Sequence, residues 1–136
     1  MKSFLPLALV LGLASAYGLW YQRSRGKVKA KSGQAFITEL MIGAPLGSRA
    51  TLVQFSSAFC TPCRATRVLL ENIVMSLNGV AHVEVDAESQ LELVRELNIL
   101  STPTTLILDS HGREVGRAVG APKREQVISA LAAIRE

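Results

Sequence analysis

A chain of 136 residues, 49% hydrophobic and 19% charged, holds one domain of ordinary size with ample material for a core, which excludes wholesale disorder. Five prolines and ten glycines exclude a collagen-like or low-complexity chain, and two cysteines exclude a disulfide framework. The net charge of +4 resides in residues 1–31, where Lys2, Arg23, Arg25, Lys27, Lys29 and Lys31 meet no acid; the remainder is acidic on balance, which removes the case for a nucleic-acid partner.

From Ser3 to Gln22 the chain carries no formal charge. As a helix this run would be about 30 Å long, the thickness of a bilayer's hydrocarbon core. Tyr17, Trp20 and Tyr21 fall at its end, where aromatic rings favour the headgroup level. Ala14-Ser15-Ala16 resembles a signal-peptidase site, but the apolar run continues past it and a basic block follows, which argues against cleavage. The positive-inside rule places that block in the cytoplasm. The expectation is a single-pass protein of the cell membrane, its amino end outside and residues 23–136 inside. Residues 3–22 form the transmembrane anchor, 23–33 a basic juxtamembrane linker, and 34–136 the folded domain. The basic run should lie against anionic headgroups, at about 1 kcal/mol per residue.

The rest alternates between strands and helices. Residues 35–41 predict a short helix, broken by Gly43-Ala44-Pro45-Leu46-Gly47. Thr51-Leu52-Val53-Gln54-Phe55 is β-branched and apolar, a central strand. Residues 63–77 form a helix with Ala65, Val68, Leu69, Ile73 and Leu77 as its inner stripe, Arg64, Arg67 and Glu71 as a solvated face, and Asn78-Gly79 as a left-handed cap. Residues 80–86 form a second strand, with Val83 and Val85 on one face and His82 and Glu84 on the other. Ser89-Gln90-Leu91-Glu92 fits a capping box that opens a helix to about Leu97. Residues 104–108 and 114–119 pair as an antiparallel hairpin across Ser110-His111-Gly112. Gly120-Ala121-Pro122 leads into a last helix striped by Val127, Ile128, Leu131 and Ile134. This order makes an α/β fold with a mixed central sheet flanked by helices, the first two strands forming a βαβ unit.

Cys60-Thr61-Pro62-Cys63 lies where the first of these strands turns into a helix. Only a thiolate attacks a disulfide, and an ordinary thiol is mostly protonated at neutral pH. A helix start offers unpaired N–H groups and the positive end of the dipole, both favourable to a sulfur anion on Cys60. Two spacer residues bring the second sulfur near the first, and Pro62 suits a first turn because it needs no N–H partner. Two other roles compete: an inert structural pair, and half of a metal site. A closed zinc site needs four ligands, and the chain adds only His82 and His111, so no metal is assigned. Asp86 and Asp109 read as strand-end residues without chemistry.

From about Leu46 to Ile134 the sequence resembles the thioredoxin family. The resemblance is carried by Leu52-Val53-Gln54-Phe55, the Cys60–Cys63 pair, Val83-Glu84-Val85-Asp86, Thr102-Pro103-Thr104, Gly112 and Gly120. It implies a thioredoxin-like fold and a catalytic pair, Cys60 as nucleophile with its sulfur partly exposed and Cys63 as resolving thiol. It also implies that Pro103 is a cis-proline beside them, and that Phe59, Thr61, Pro62, Thr102 and Pro103 face substrate. The family's flanking tryptophan falls at Phe59, its buried acid at Gln54, the nearby lysine at His82, and its helix-kinking proline at Val68. Gln54 cannot titrate, so the resolving step would need another proton acceptor.

The function expected is thiol–disulfide exchange on protein disulfides through a mixed disulfide, without a bound cofactor. An electron donor of unidentified nature would recharge it, and a reducing cytoplasm would favour reduction of substrates. Three alternatives are distinguishable by experiment: an outward-facing enzyme for exported proteins or cytochrome maturation, a non-catalytic docking module, and a thiol carrier for soft metals.

Overall fold

The computed structural model describes residues 4–24, 26–30 and 35–134, with the side chains of residues 29 and 30 excepted. Expectations that rest on Lys2, Ser3, Arg25, Lys31 and Gly33 lie outside these residues. The elements in chain order are α1 (Phe4–Ser24), β1 (Val28–Ala30), α2 (Glu39–Ile42), β2 (Ala50–Ser56), α3 (Thr61–Met75), β3 (Val80–Asp86), α4 (Leu91–Glu96), β4 (Thr104–Asp109), β5 (Glu114–Val119) and α5 (Arg124–Ala132).

Helix α1 buries none of its residues. Among the described residues it is the one helix long and apolar enough to cross a membrane, with mean hydropathy 1.6. A core helix of a soluble domain would bury one side, and α1 does not.

The five strands form one sheet in the order β1-β5-β4-β2-β3. β2 and β3 are parallel and joined through α3, whereas every other pairing is antiparallel. β2 is buried along its whole length, which is why its sequence carries no charge and does not alternate between apolar and exposed polar residues. Alternate residues feed two cores. Val53, Phe55, Val83, Val85, Leu106 and Leu108 pack with Ile37, Leu93, Leu97 and Ile99 on one face. Leu52, Val80 and Ile107 pack with Leu70 and Ile73 of α3 and Val127 and Leu131 of α5 on the other.

Several local expectations need correction. Residues 35–37 are not helical: Phe36 bridges to Arg113 and the Ile37 N–H donates to the Gly112 carbonyl, so the helix is confined to α2. The stretch 26–33, read as linker, contributes β1, which pairs with β5 from Val28 opposite Ala118 to Ala30 opposite Gly116. The buried face of α3 is Cys63, Thr66, Leu70 and Ile73, one step round from the predicted stripe; Val68 is exposed and Leu69 and Leu77 are half-buried. α3 ends at Ser76 in right-handed geometry, and the left-handed residue is Gly79 at the entry to β3. The capping box does not form, because the Ser89 hydroxyl donates to the Asp86 carbonyl and the N-cap is Gln90. Pro122 is buried one residue before the Lys123 N-cap of α5, and Ile128 of the predicted stripe is exposed.

Gly112 turns the β4–β5 hairpin with φ +81°, and a Cβ there would collide with the Ile37 carbonyl oxygen. A Gly112→Ala chain should therefore lose about 2 kcal/mol of stability, measured as a shift of the chemical denaturation midpoint.

Candidate active site

The end of the sheet where β2 finishes carries both cysteines. Cys60 is the N-cap of α3, in extended geometry (φ −117°, ψ 99°), with Pro62 in the first turn. Cys60 and Cys63 form a disulfide with Cα atoms 5.2 Å apart. The Cys63 N–H points at Cys60 Sγ, 3.2 Å away. That N–H is one of the donors a helix start leaves unpaired, so the positive end of α3 is aimed at the first sulfur. Cys60 keeps 9% of its surface exposed and Cys63 only 2%. The pair is thus asymmetric in the sense needed for one attacking and one resolving sulfur, although Cys60 is less open than the sequence suggests.

Around the pair stand the other residues singled out from the sequence. The Thr102–Pro103 bond is cis. The Ser57 and Thr102 hydroxyls share a hydrogen bond of 3.0 Å, which ties the loop before Cys60 to the cis-proline turn. Phe59 is fully exposed, Thr61 and Pro62 are exposed, Thr102 is half-buried and Pro103 buried.

Beneath the disulfide, Gln54 is fully buried. Its Nε2 donates to the Cys63 carbonyl at 2.8 Å, leaving Oε1 to accept from His82 Nε2 at 3.0 Å. The two positions where the family has a titrating acid and a lysine are joined here by a neutral hydrogen bond, with the imidazole proton on Nε2. Burial holds the His82 imidazole below its ordinary 6.5; Glu71 and Glu84 oppose that shift and Arg67 adds to it. The unfolded chain therefore takes up this proton before the folded one does. Stability should be full above pH 6.5 and fall as pH drops below it. A His82→Gln chain should show a flatter dependence between about pH 7.5 and 5.5 in denaturation followed by circular dichroism.

An open pit of about 390 Å³ adjoins the disulfide, lined by Ser57, Ala58, Cys60, Cys63, Arg64, Arg67, Glu84 and Asp86. Glu84 accepts hydrogen bonds from the Ser56 hydroxyl at 2.7 Å and from Arg67 at 2.6 Å. Burial alone would push the Glu84 carboxyl up, but those hydrogen bonds and the charge of Arg67 outweigh it and hold it below its ordinary value. The sequence placed Arg67 on a solvated helix face and gave Glu84 no role. Their pairing joins α3 to β3 across the βαβ crossover, a contact no local spacing announces.

A disulfide-forming Cys-x-x-Cys at a helix start, beside a cis-proline and at the end of a mixed α/β sheet, defines the class of dithiol–disulfide proteins. A family model described as Thioredoxin matches residues 27–133, and the chain belongs to the thioredoxin family. Thioredoxin H2 of Arabidopsis thaliana is 31% identical over 74 residues, 54% of this chain and 55% of the relative. A thioredoxin of Chlamydia trachomatis serovar D is 30% identical over 86 residues, 63% of this chain and 83% of the relative. The chain spans little more than half the length of the first plant relatives, 55% and 56% for those of Arabidopsis thaliana and Oryza sativa. In structure it is similar to the reduced Schistosoma mansoni thioredoxin pre-protein, with TM-score 0.56 and 24% identity over 65% of this chain and 82% of the other. Fasciola hepatica thioredoxin gives TM-score 0.57 and 22% identity over 65% and 84%. These likenesses establish the thioredoxin-like fold, and family and cysteine pair together support thiol–disulfide oxidoreductase chemistry.

Proposed function

We propose that this protein is a membrane-tethered reductant of protein disulfides, with Cys60 as nucleophile and Cys63 as resolving thiol. The observation that carries the proposal is Cys60 Sγ itself, on the more exposed cysteine of the pair, accepting an N–H from the first turn of α3. In the reduced protein the same donor and the helix dipole favour a thiolate there. The Cys60 thiolate attacks one sulfur of a substrate disulfide; that bond breaks, and the other substrate sulfur leaves as a thiolate and takes up a proton. Cys63 then loses its proton and attacks Cys60 Sγ, which releases the second substrate thiolate and leaves the Cys60–Cys63 disulfide. Two electrons have passed to substrate, and an external donor returns them. Gln54 cannot accept the Cys63 proton, but the pit opening on both cysteines is wide enough for solvent to do so.

Substrate would bind as an extended segment beside the Thr102 backbone, between the Phe59-Cys60-Thr61-Pro62 stretch at the start of α3 and the cis-proline turn. The basic residues after α1 favour a cytoplasmic domain, and that compartment favours reduction. The test is the pH dependence of Cys60 alkylation in the reduced full-length chain, together with turnover of insulin disulfides. We expect a titration below that of free cysteine, near 8.5, and catalysed reduction. An ordinary thiol curve with no turnover would overturn the proposal.

A further inference from the structure

We infer that the catalytic face is held against the bilayer, so that its substrates are membrane proteins whose disulfides lie at the lipid headgroups. This rests on the tethered reductant proposed above and on how short the tether is. α1 ends at Ser24, and Gly26 is already fixed to the domain. Gly26 is buried, its N–H donates to the Val119 carbonyl at 2.5 Å, and with φ +78° it sits against the Ala121 carbonyl, where a Cβ would collide. At 3.3–3.6 Å per extended residue, the end of the membrane helix lies no more than about 7 Å from Gly26.

The attachment point is at the active-site end of the sheet. Val119 closes β5 and pairs with Thr104, the residue after cis-Pro103. The next residue, Gly120, donates its N–H to the Pro103 carbonyl at 2.8 Å. The opposite end of the sheet, at Asp109, is the length of β4 away, about 17 Å. The membrane is therefore joined beside the cis-proline turn and not at the hairpin end.

The surface at this end independently suits a headgroup layer. Phe59, Leu100 and Val119 are exposed by 99%, 86% and 43%, one from each segment around the site. Arg23 and Lys27 are exposed on either side of the joint. Apolar and aromatic groups interspersed with cations are what the interface between lipid and water accommodates. A disulfide presented at the headgroups would meet Cys60 at high effective concentration, whereas one on a long stalk would gain little from the shared membrane.

The test uses the pre-reduced full-length chain in phosphatidylcholine–phosphatidylglycerol vesicles with single-span reporter peptides. Each reporter carries the same intramolecular disulfide on the domain's side of the membrane, about 3 or about 30 residues from its span. Single-turnover reduction is read by alkylation and mass shift. We expect the near reporter to be reduced at least about tenfold faster, and a flexible spacer of about 20 residues inserted after Ser24 to bring the two rates together. Equal rates in the unmodified chain, a preference for the stalked reporter, or a spacer without effect would overturn the inference. Insulin reduction by the detergent-solubilised chain separates the two readings. If insulin is reduced and the near reporter is not preferred, only the membrane-facing inference falls. If neither insulin nor any reporter is reduced, the reductant itself falls.

Discussion

A Cys60→Ser chain should reduce insulin disulfides no faster than the uncatalysed background, a loss of roughly a thousandfold or more. Cys63→Ser should behave differently. Its nucleophile remains at the helix start, so it should still attack but stall as a mixed disulfide that survives denaturing electrophoresis and is released by excess dithiol. The asymmetry follows from placement: both cysteines line the pit, but Cys60 is the N-cap of α3 with 9% exposure and Cys63 lies in its first turn with 2%. If the two serine variants behaved alike, trapping nothing, the division of roles between the cysteines would be wrong.

The second large effect concerns stability. Glu114 is fully buried, and Arg117 donates to its carboxylate twice, at 2.7 Å from Nε and 3.0 Å from Nη2. The same guanidinium donates through Nη1 to the carbonyls of Leu97 and Asn98, at 2.8 and 3.3 Å, where the chain leaves α4 for the cis-proline turn. An Arg117→Met chain loses all four bonds and should be destabilised by about 3 kcal/mol, because a buried carboxylate loses its two-pronged guanidinium donor and two carbonyls lose theirs. The double variant Glu114→Gln/Arg117→Met should recover part of that loss. The measurement is chemical denaturation followed by far-ultraviolet circular dichroism, since the sole tryptophan, Trp20, lies in α1 and not in the domain. A single variant as stable as the parent would show that the pair carries no weight.

Strands β2 to β5 and the cysteine pair were legible because their signals are local. The apolar run of β2, the alternation of Val83 and Val85 in β3 and the Ser110-His111-Gly112 turn each follow from neighbouring residues. What escaped depends on partners far away in sequence. β1 has three residues and a basic composition, and only its pairing with β5 makes it a strand. The buried face of α3 is rotated from the expected one because the sheet, not hydrophobicity alone, selects Thr66 over Ala65 and Val68. The Glu114–Arg117 pair was hidden by the register shift between Ile107 and Leu108. That irregularity puts one extra residue on β5, so side chains three apart come to share a face, which no alternating pattern predicts. At the site, the Cys-x-x-Cys spacing and Pro103 stood out, whereas the bond between His82 and Gln54 required the register of β2 on β3, which sets Leu52 opposite His82 and Gln54 opposite Glu84.

The order of the sheet has a consequence for crowding. Proteins confined to a lipid plane meet one another far more often than the same number in free solution, and an open strand edge is a template for joining two copies. One border of this sheet is β3, which carries His82, Glu84 and Asp86 along the side toward α3, and the other is β1, only three residues long. Along β3, Glu84 is already engaged by Arg67 and Ser56, and the three residues of β1 offer a neighbour few backbone groups. If the proposed tether holds the domain at a bilayer, neither border of the sheet invites copies to join edge to edge.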